Sequence, residues 1–484
     1  MTAEDLAPRV AAGGYKPELK RTLGSFQVFA ISFAFISVAV GIFATYDEVL
    51  LAAGPVGIWL WIPAAIGQTL VALVVAQFAA RIALSGSSYQ WASRLANPKV
   101  GWLFGWLSFW YLAVGVVAMD NALASQALMP LLGMENDEGT ARVITIVIMV
   151  VQAVLVIAST RLFGLITAGA VGIELTIVIV LVVALAVVMV FSGTGNVENL
   201  TSRGVTADSV DYFAVGGGLM AGMIIGLTTL VGFDSAANLA EEAKDPYRSV
   251  PRAIVTSVVA AAVLGLIFLI ALTIGIKDVA DVTNSGSPVA AIIGDQLGPV
   301  VERILLAGMV LAMFGAGMVV MAACSRQVFA MARDARFPAH RILRRVSPRT
   351  KTPIPATILI LIVGVIFMVA LPGSALLQLI IASTILPALI YGATVVLYLV
   401  VRKRLEHKEG GFSLGRFELP IAVAALIWVV LAVFVLVTPP GALVSVLIVV
   451  GLILAGGVYF AKMWFFNREV LDPETFVTAP DLPR

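Results

Sequence analysis

Five carboxylates stand where a carboxylate is costly. Asp47, Glu48, Asp120, Glu174 and Asp234 all fall inside long apolar runs, and no Lys or Arg lies at the middle of any of those runs. An acid within a bilayer costs about 2.5–3.5 kcal/mol, so each of these must face a cavity or a partner. With no internal cation to pair with, the partners left are helix ends, protons, metal ions or a cationic ligand. Binding of something positively charged is the chemistry this pattern points to. Other chemistries are excluded by what is missing. The two histidines, His340 and His407, lie in charged loops, which rules out a histidine proton relay in the membrane. Cys324 is the single cysteine, so neither an intrachain disulfide nor a cysteine metal cluster can form. No cofactor motif and no metal-ligand spacing is present.

The elements that must position these acids are transmembrane helices. The chain has 484 residues, 60% of them hydrophobic and 12% charged, with a mean hydropathy of +1.02. That much apolar surface identifies an all-α integral membrane protein. Twelve runs have the length of roughly 20 residues needed to cross a bilayer. They are 25–52, 57–82, 102–128, 142–160, 162–191, 212–240, 252–276, 303–327, 354–371, 374–401, 419–437 and 441–466, spans 1 to 12. With the N-terminus in the cytoplasm, 27 of the 31 Lys and Arg residues fall on the inside, leaving Arg142, Arg203, Lys277 and Arg303 outside. This bias predicts a multi-pass protein of the cell membrane with both termini cytoplasmic. The basic loops are expected to sit near anionic lipid headgroups. The first residues are polar and mildly charged and do not read as a cleavable signal.

Glycine marks the position of the site. Span 6 runs as "FAVGGGLMAGMIIG", is interrupted by "TTLVG", and resumes as "FDSAANLAEE". Asp234 stands where an N-cap would satisfy the orphan N–H groups of the second half-helix. A backbone break at this depth is tolerated only where it lines a cavity or is buried in protein. Span 1 carries Ser37, Gly41 and Thr45 halfway along, where glycine serves either close packing or a break. Spans 1 and 6 are five apart, so the two halves would be inverted relative to each other. Paired interruptions in inverted halves point to a transporter's midplane site. Glu174 lies about twelve residues into span 5. It either hydrogen-bonds a neighbouring helix or, desolvated, carries a proton. A channel would need polar rings along a pore, and an enzyme a constellation of base, nucleophile or metal; the scattered acids supply neither.

Three ordered motifs carry a family resemblance: "ALSGSSYQWASRLANPKVGWLFGW" (83–106), "VGFDSAANLAEEAKDPYRSVPRAI" (231–254) and "SRQVFAMARDARFP" (325–338). Together they resemble the amino acid–polyamine–organocation transporters, in the branch of the amino acid/choline permeases. Arg336 stands where that family usually has glycine, a departure expected to alter a loop turn. The resemblance implies the leucine-transporter fold, with spans 1–5 and 6–10 as inverted 5+5 repeats and helices 1 and 6 discontinuous. It divides the chain into a cytoplasmic segment 1–24, a transport core 25–401 (repeats 25–191 and 212–401), peripheral spans 402–466 and a cytoplasmic tail 467–484. The implied substrate residues are Ser37, Val38, Ala39, Gly41 and Ile42 on span 1, and Thr228, Thr229, Gly232, Phe233 and Asp234 on span 6. Phe233 takes the position of an aromatic gate, or faces lipid. Helix N-termini at the breaks suit a substrate carboxylate and the C-terminal carbonyls an ammonium group. Glu174 falls near the position where sodium-independent relatives often place a lysine, and span 8 has no mid-depth hydroxyl for sodium. The expected function is a proton-coupled secondary transporter of amino acids or related amines, acting by alternating access. A choline- or polyamine-type cation carrier, or an amine/amino acid antiporter, is the alternative. Partners would be that small molecule, protons and membrane lipids, without nucleic acid, and the chain would be a monomer or weak oligomer.

Overall fold

A computed structural model describes residues 24–471, apart from 83–86, 136, 159, 239, 241–242, 348–349, 351, 372–374 and 406–410. The expected segment 1–24 (save Gly24) and the tail beyond 471, like Glu241, Glu242 and His407, lie outside the described residues. In a bilayer every backbone N–H and C=O must be paired within the protein, and a chain this apolar meets that requirement with helices. Ten helices among the described residues are long and apolar enough to cross a membrane. They match expected spans 1–5, 7, 8 and 10–12. The other two expected spans appear as shorter apolar helices, Gly218–Thr229 and Ile354–Ala370. Span 6 is shortened at its N-terminal end because residues 212–217 form turns, with Gly216 at φ 79.

The helices used below are α1 (Ser25–Ile36), α2 (Val38–Ala52), α3 (Trp61–Ala79), α4 (Ser87–Leu95), α5 (Pro98–Ala122), α6 (Glu138–Ala158) and α7 (Thr160–Ser192). The second half of the chain holds α8 (Gly218–Gly222), α9 (Ile224–Thr229), α10 (Ser235–Asn238), α11 (Pro246–Ile274), α12 (Pro299–Arg333), α13 (Ile354–Ala370), α14 (Ala375–Val401), α15 (Glu418–Val437) and α16 (Leu443–Phe466). Local sequence sets several starts. Pro98, Pro246 and Pro299 each begin a helix at the position where a missing N–H does no harm. Asn97 caps α5 by accepting from the N–H groups of Lys99 at 3.0 Å and Val100 at 2.9 Å.

Packing places the broken helices at the centre. In the most apolar stretch of Ser25–Ala52, 83% of residues are buried, against 17% in Gly169–Ser192 and Pro440–Phe466, which are therefore peripheral. α3 packs on α11, α5 on α12 and α6 on α13, while α2 crosses α9. α5 also packs on α14, as α12 does on α7. Arg336 does more than shape a turn. It is buried and donates from Nε to the Val470 carbonyl at 3.0 Å and from Nη1 to the Tyr89 hydroxyl at 3.3 Å. The positive φ that a glycine would offer is taken instead by Ala335, at φ 56.

Small residues let the helices close up, as they do where no water drives helices together. In α16, Gly456 lies against the Trp106 indole, whereas nothing lies within reach of a Cβ at Gly457. Gly456→Ala is therefore expected to lower stability by about 1–3 kcal/mol through overpacking. Gly457→Ala, one residue on, should leave the thermal midpoint unchanged or slightly raised. Thermal unfolding of both variants in detergent checks the pair.

Candidate functional site

The break in span 1 is one residue long. Ser37 adopts the left-handed region, at φ 42 and ψ 80, and its N–H closes α1 on the Phe33 carbonyl at 3.1 Å. Of the span 1 residues expected at the break, Ser37 alone is non-helical. Gly41 N–H already bonds the Ser37 carbonyl at 3.1 Å, so the helical ladder resumes at once and Val38, Ala39, Gly41 and Ile42 are helical. A non-glycine residue in this conformation costs about 1–3 kcal/mol and has to be held there. Glu174, reaching across from α7, holds it. Its Oε1 accepts from Ser37 Oγ at 2.9 Å and from Ala39 N–H at 3.3 Å. A carboxylate thus caps the start of α2 from a different helix, where the dipole favours negative charge. Of the two readings of Glu174, hydrogen bonding to a neighbouring helix is present in this geometry.

The break in span 6 is longer. α9 ends at Thr229, residues 231–234 are non-helical, and α10 begins at Ser235. Gly232 sits at φ 83, which side chains rarely adopt. The freed backbone is satisfied by hydroxyls far away in sequence. The Tyr391 hydroxyl accepts from Gly232 N–H at 2.9 Å and donates to Asp234 Oδ1 at 2.9 Å. Ser87 donates to Asp234 Oδ2 at 3.1 Å, and Ser32 to the Phe233 carbonyl at 2.7 Å. The Asp234 carboxylate therefore ties α10 to α14 and α4. At the start of α10, Ala237 N–H bonds the backbone carbonyl of Asp234 at 2.9 Å. Phe233 is fully buried and stacks on the Tyr391 ring at 4.8 Å, so the lipid-facing alternative is corrected.

Between the two breaks lies a cavity of about 80 Å³, room for a few water-sized groups. Of the residues named from the sequence, Gly41, Thr228 and Thr229 line it. Ser37, Val38, Ala39, Ile42, Gly232, Phe233, Asp234 and Glu174 do not, because the resumed helix turns the first group into the core and the hydroxyl network draws Asp234 aside. Sequence reasoning missed Tyr111 and Met119 on α5, Val320 on α12, and Ile380 and Ser383 on α14. These are ordinary residues of apolar spans, and only their facing distinguishes them. Among the described residues, no charged side chain lines the cavity. Its polar groups are hydroxyls: Thr228 Oγ1 shares a hydrogen bond of 2.6 Å with Thr384 Oγ1, and buried Thr229 Oγ1 has no partner. A Cβ at Gly41 would run into the Thr229 side chain, so the two broken helices touch there.

Removing the Tyr391 hydroxyl strands both Gly232 N–H and one oxygen of Asp234. Tyr391→Phe is expected to destabilise the protein by about 1–3 kcal/mol, the cost of leaving buried groups unpaired. Differential scanning calorimetry of the purified variant against wild type checks the loss.

The sequence has counterparts in known proteins. The sequence model of the family described as "Amino acid permease" matches residues 23–463, most of the chain. The Amino-acid permease BAT1 of Arabidopsis thaliana is 26% identical over 86% of this chain and 85% of its own length. Its homolog in Oryza sativa subsp. japonica is 24% identical over 86% of this chain and 84% of its own. A GABA-specific permease of Saccharomyces cerevisiae is 28% identical over 70% of this chain and 62% of its own length. With the family's sequence pattern running through every helix described above, the chain belongs to the amino acid permeases of the amino acid–polyamine–organocation superfamily, membrane transporters rather than enzymes.

Proposed function

We propose that this permease is a secondary active transporter of small amino acids, working by alternating access, with the cavity between the two breaks as its substrate site. The observation that carries the reading is an uncharged cavity placed where two interrupted helices meet. Helix ends offer both polarities there, N–H groups for a carboxylate and carbonyls for an ammonium group. Gly41, Thr228 and Thr229 contribute the wall, while Ser37, Val38, Ala39, Ile42, Gly232, Phe233 and Asp234 hold the backbone that presents those ends. The absence of a lining carboxylate favours a zwitterion over the choline- or polyamine-type cation carrier.

The inverted-repeat layout draws support from packing. Replacing each span by the one five positions away turns the contact of spans 3 and 10 into that of spans 8 and 5, and both pairs pack closely. Contacts of spans 1 with 6, 2 with 7, 3 with 8 and 4 with 9 map onto themselves, and all four are present. We extend the reading to twelve spans in the cell membrane with both termini cytoplasmic, a core of 25–401 and spans 11 and 12 peripheral. Glu174 is the proposed proton carrier. A proton on its carboxyl weakens the cap on α2, which links protonation to the break beside the substrate.

Uptake into liposomes containing the purified protein tests this. Glycine, alanine and γ-aminobutyrate are the candidate substrates, and choline and putrescine the cation controls; preferential uptake of either cation overturns the zwitterion reading. Gly115 of α5 also lines the cavity and has open space beside it, so Gly115→Leu should fill the cavity and abolish binding while leaving folded protein in the membrane. Glu174→Gln should lose accumulation driven by an acidic exterior yet retain substrate exchange. Continued concentration of substrate by that variant removes Glu174 from the coupling role.

A further inference from the structure

A second acid has an environment the transport reading does not use. Asp120, on α5, is fully buried on the side away from the cavity, although its neighbours Ala118 and Met119 line it. Gln152, on α6, is also fully buried. Its Nε2 donates to Asp120 Oδ1 at 2.7 Å and to the Phe314 carbonyl of α12 at 3.2 Å, which occupies both amide hydrogens. Among the described residues, two oxygens then remain without a partner: Asp120 Oδ2 and Gln152 Oε1. Both are acceptors, one on each member of the same hydrogen-bonded pair.

No neighbouring group supplies what they lack. Among the described residues, the helices packed around this part of α5 bring no charged side chain into interaction with Asp120, whose side-chain partner there is Gln152. The adjacent Asn121 amide is turned away, to Thr145 Oγ1 at 2.9 Å and the Met368 sulfur. On the α12 side stands Gly317, which offers no side chain and lies directly against the Asp120–Gln152 bond. Two free oxygens are too few to surround a metal cation, which takes six or so oxygen ligands. A single hydrogen, placed on Oδ2, provides a donor where two acceptors lack one.

We infer that Asp120 is a proton-binding site: its carboxyl is the neutral acid in this conformation, paired with Gln152 through two hydrogen bonds, one donated by each side chain. The proton comes from solvent, and binding converts the carboxylate to the acid with no other bond made or broken. The pair bridges α5 and α6 against the backbone of α12, one turn from Val320 of the cavity wall. A shift of α12 against α5 therefore reaches it directly. The inference stands apart from Glu174 and from any transported substrate.

Infrared spectroscopy of the purified protein in lipid nanodiscs at neutral pH tests it. Asp120→Asn is expected to remove one protonated-carboxyl C=O stretching band, and Gln152→Leu to shift that band as the acid loses its acceptor. Repeating both in Glu174→Gln protein keeps any Glu174 signal out of the assignment. Asparagine offers the same donor and acceptor as the neutral acid, so Asp120→Asn should also melt at the wild-type temperature. A carboxyl region identical with and without Asp120, no shift in Gln152→Leu, or an unfolded Asp120→Asn protein would each overturn the assignment.

Discussion

The structure depends on one constraint: a helix that stops in the middle of a bilayer frees backbone groups that no water can reach. Two helices stop here, and in both cases the freed groups are met by side chains from distant parts of the chain. Glu174 serves the first break across 137 positions of sequence, and Tyr391 serves the second across 159. These long connections hold the breaks open and leave the helix ends facing a common space. They also explain why the acids are there. Asp234 and Glu174 act as acceptors for hydroxyl and N–H donors, which lets a carboxylate persist at a depth that otherwise penalises it.

Such an arrangement requires the surrounding helices to pack closely against the breaks. Small residues make that possible by letting backbones approach, as Gly67 does beneath Trp428 and Gly315 beside Ala170. The polar groups are concentrated at the breaks and in a few isolated pairs, while the rest of the interior is apolar and closely fitted. Polar ties of this kind specify one arrangement of helices among many apolar ones.

The fold class was legible in the sequence because hydropathy over about 20 residues is a strong and local signal. The breaks near Ser37 and Gly232 were legible too, since small residues interrupt two spans five apart, where inverted halves pair them. Their extent was not. The length of an interruption depends on which partner satisfies it, and Glu174, Tyr391 and Ser32 reach it only through tertiary structure. For the same reason the cavity wall escaped notice. Tyr111, Met119 and Ile380 are unremarkable members of apolar runs, and the direction in which each points is fixed by packing between spans. Conversely, Asp234 was legible as a special residue but not as a hub, because the hydroxyls that claim it lie on α4 and α14.

The contact of Gly41 with Thr229 has a mechanical meaning. Two rods that cross at their closest point, with bulk on either side of the crossing, can pivot but cannot slide. Large buried side chains stand near the crossing, Val40 and Ile42 on α2 and Leu230 just past the end of α9, and would resist translation along either axis. Under the alternating-access proposal the crossing would serve as a fulcrum, where tilting one helix outward above it swings the same helix inward below. Both ends of such a lever cannot gape at once.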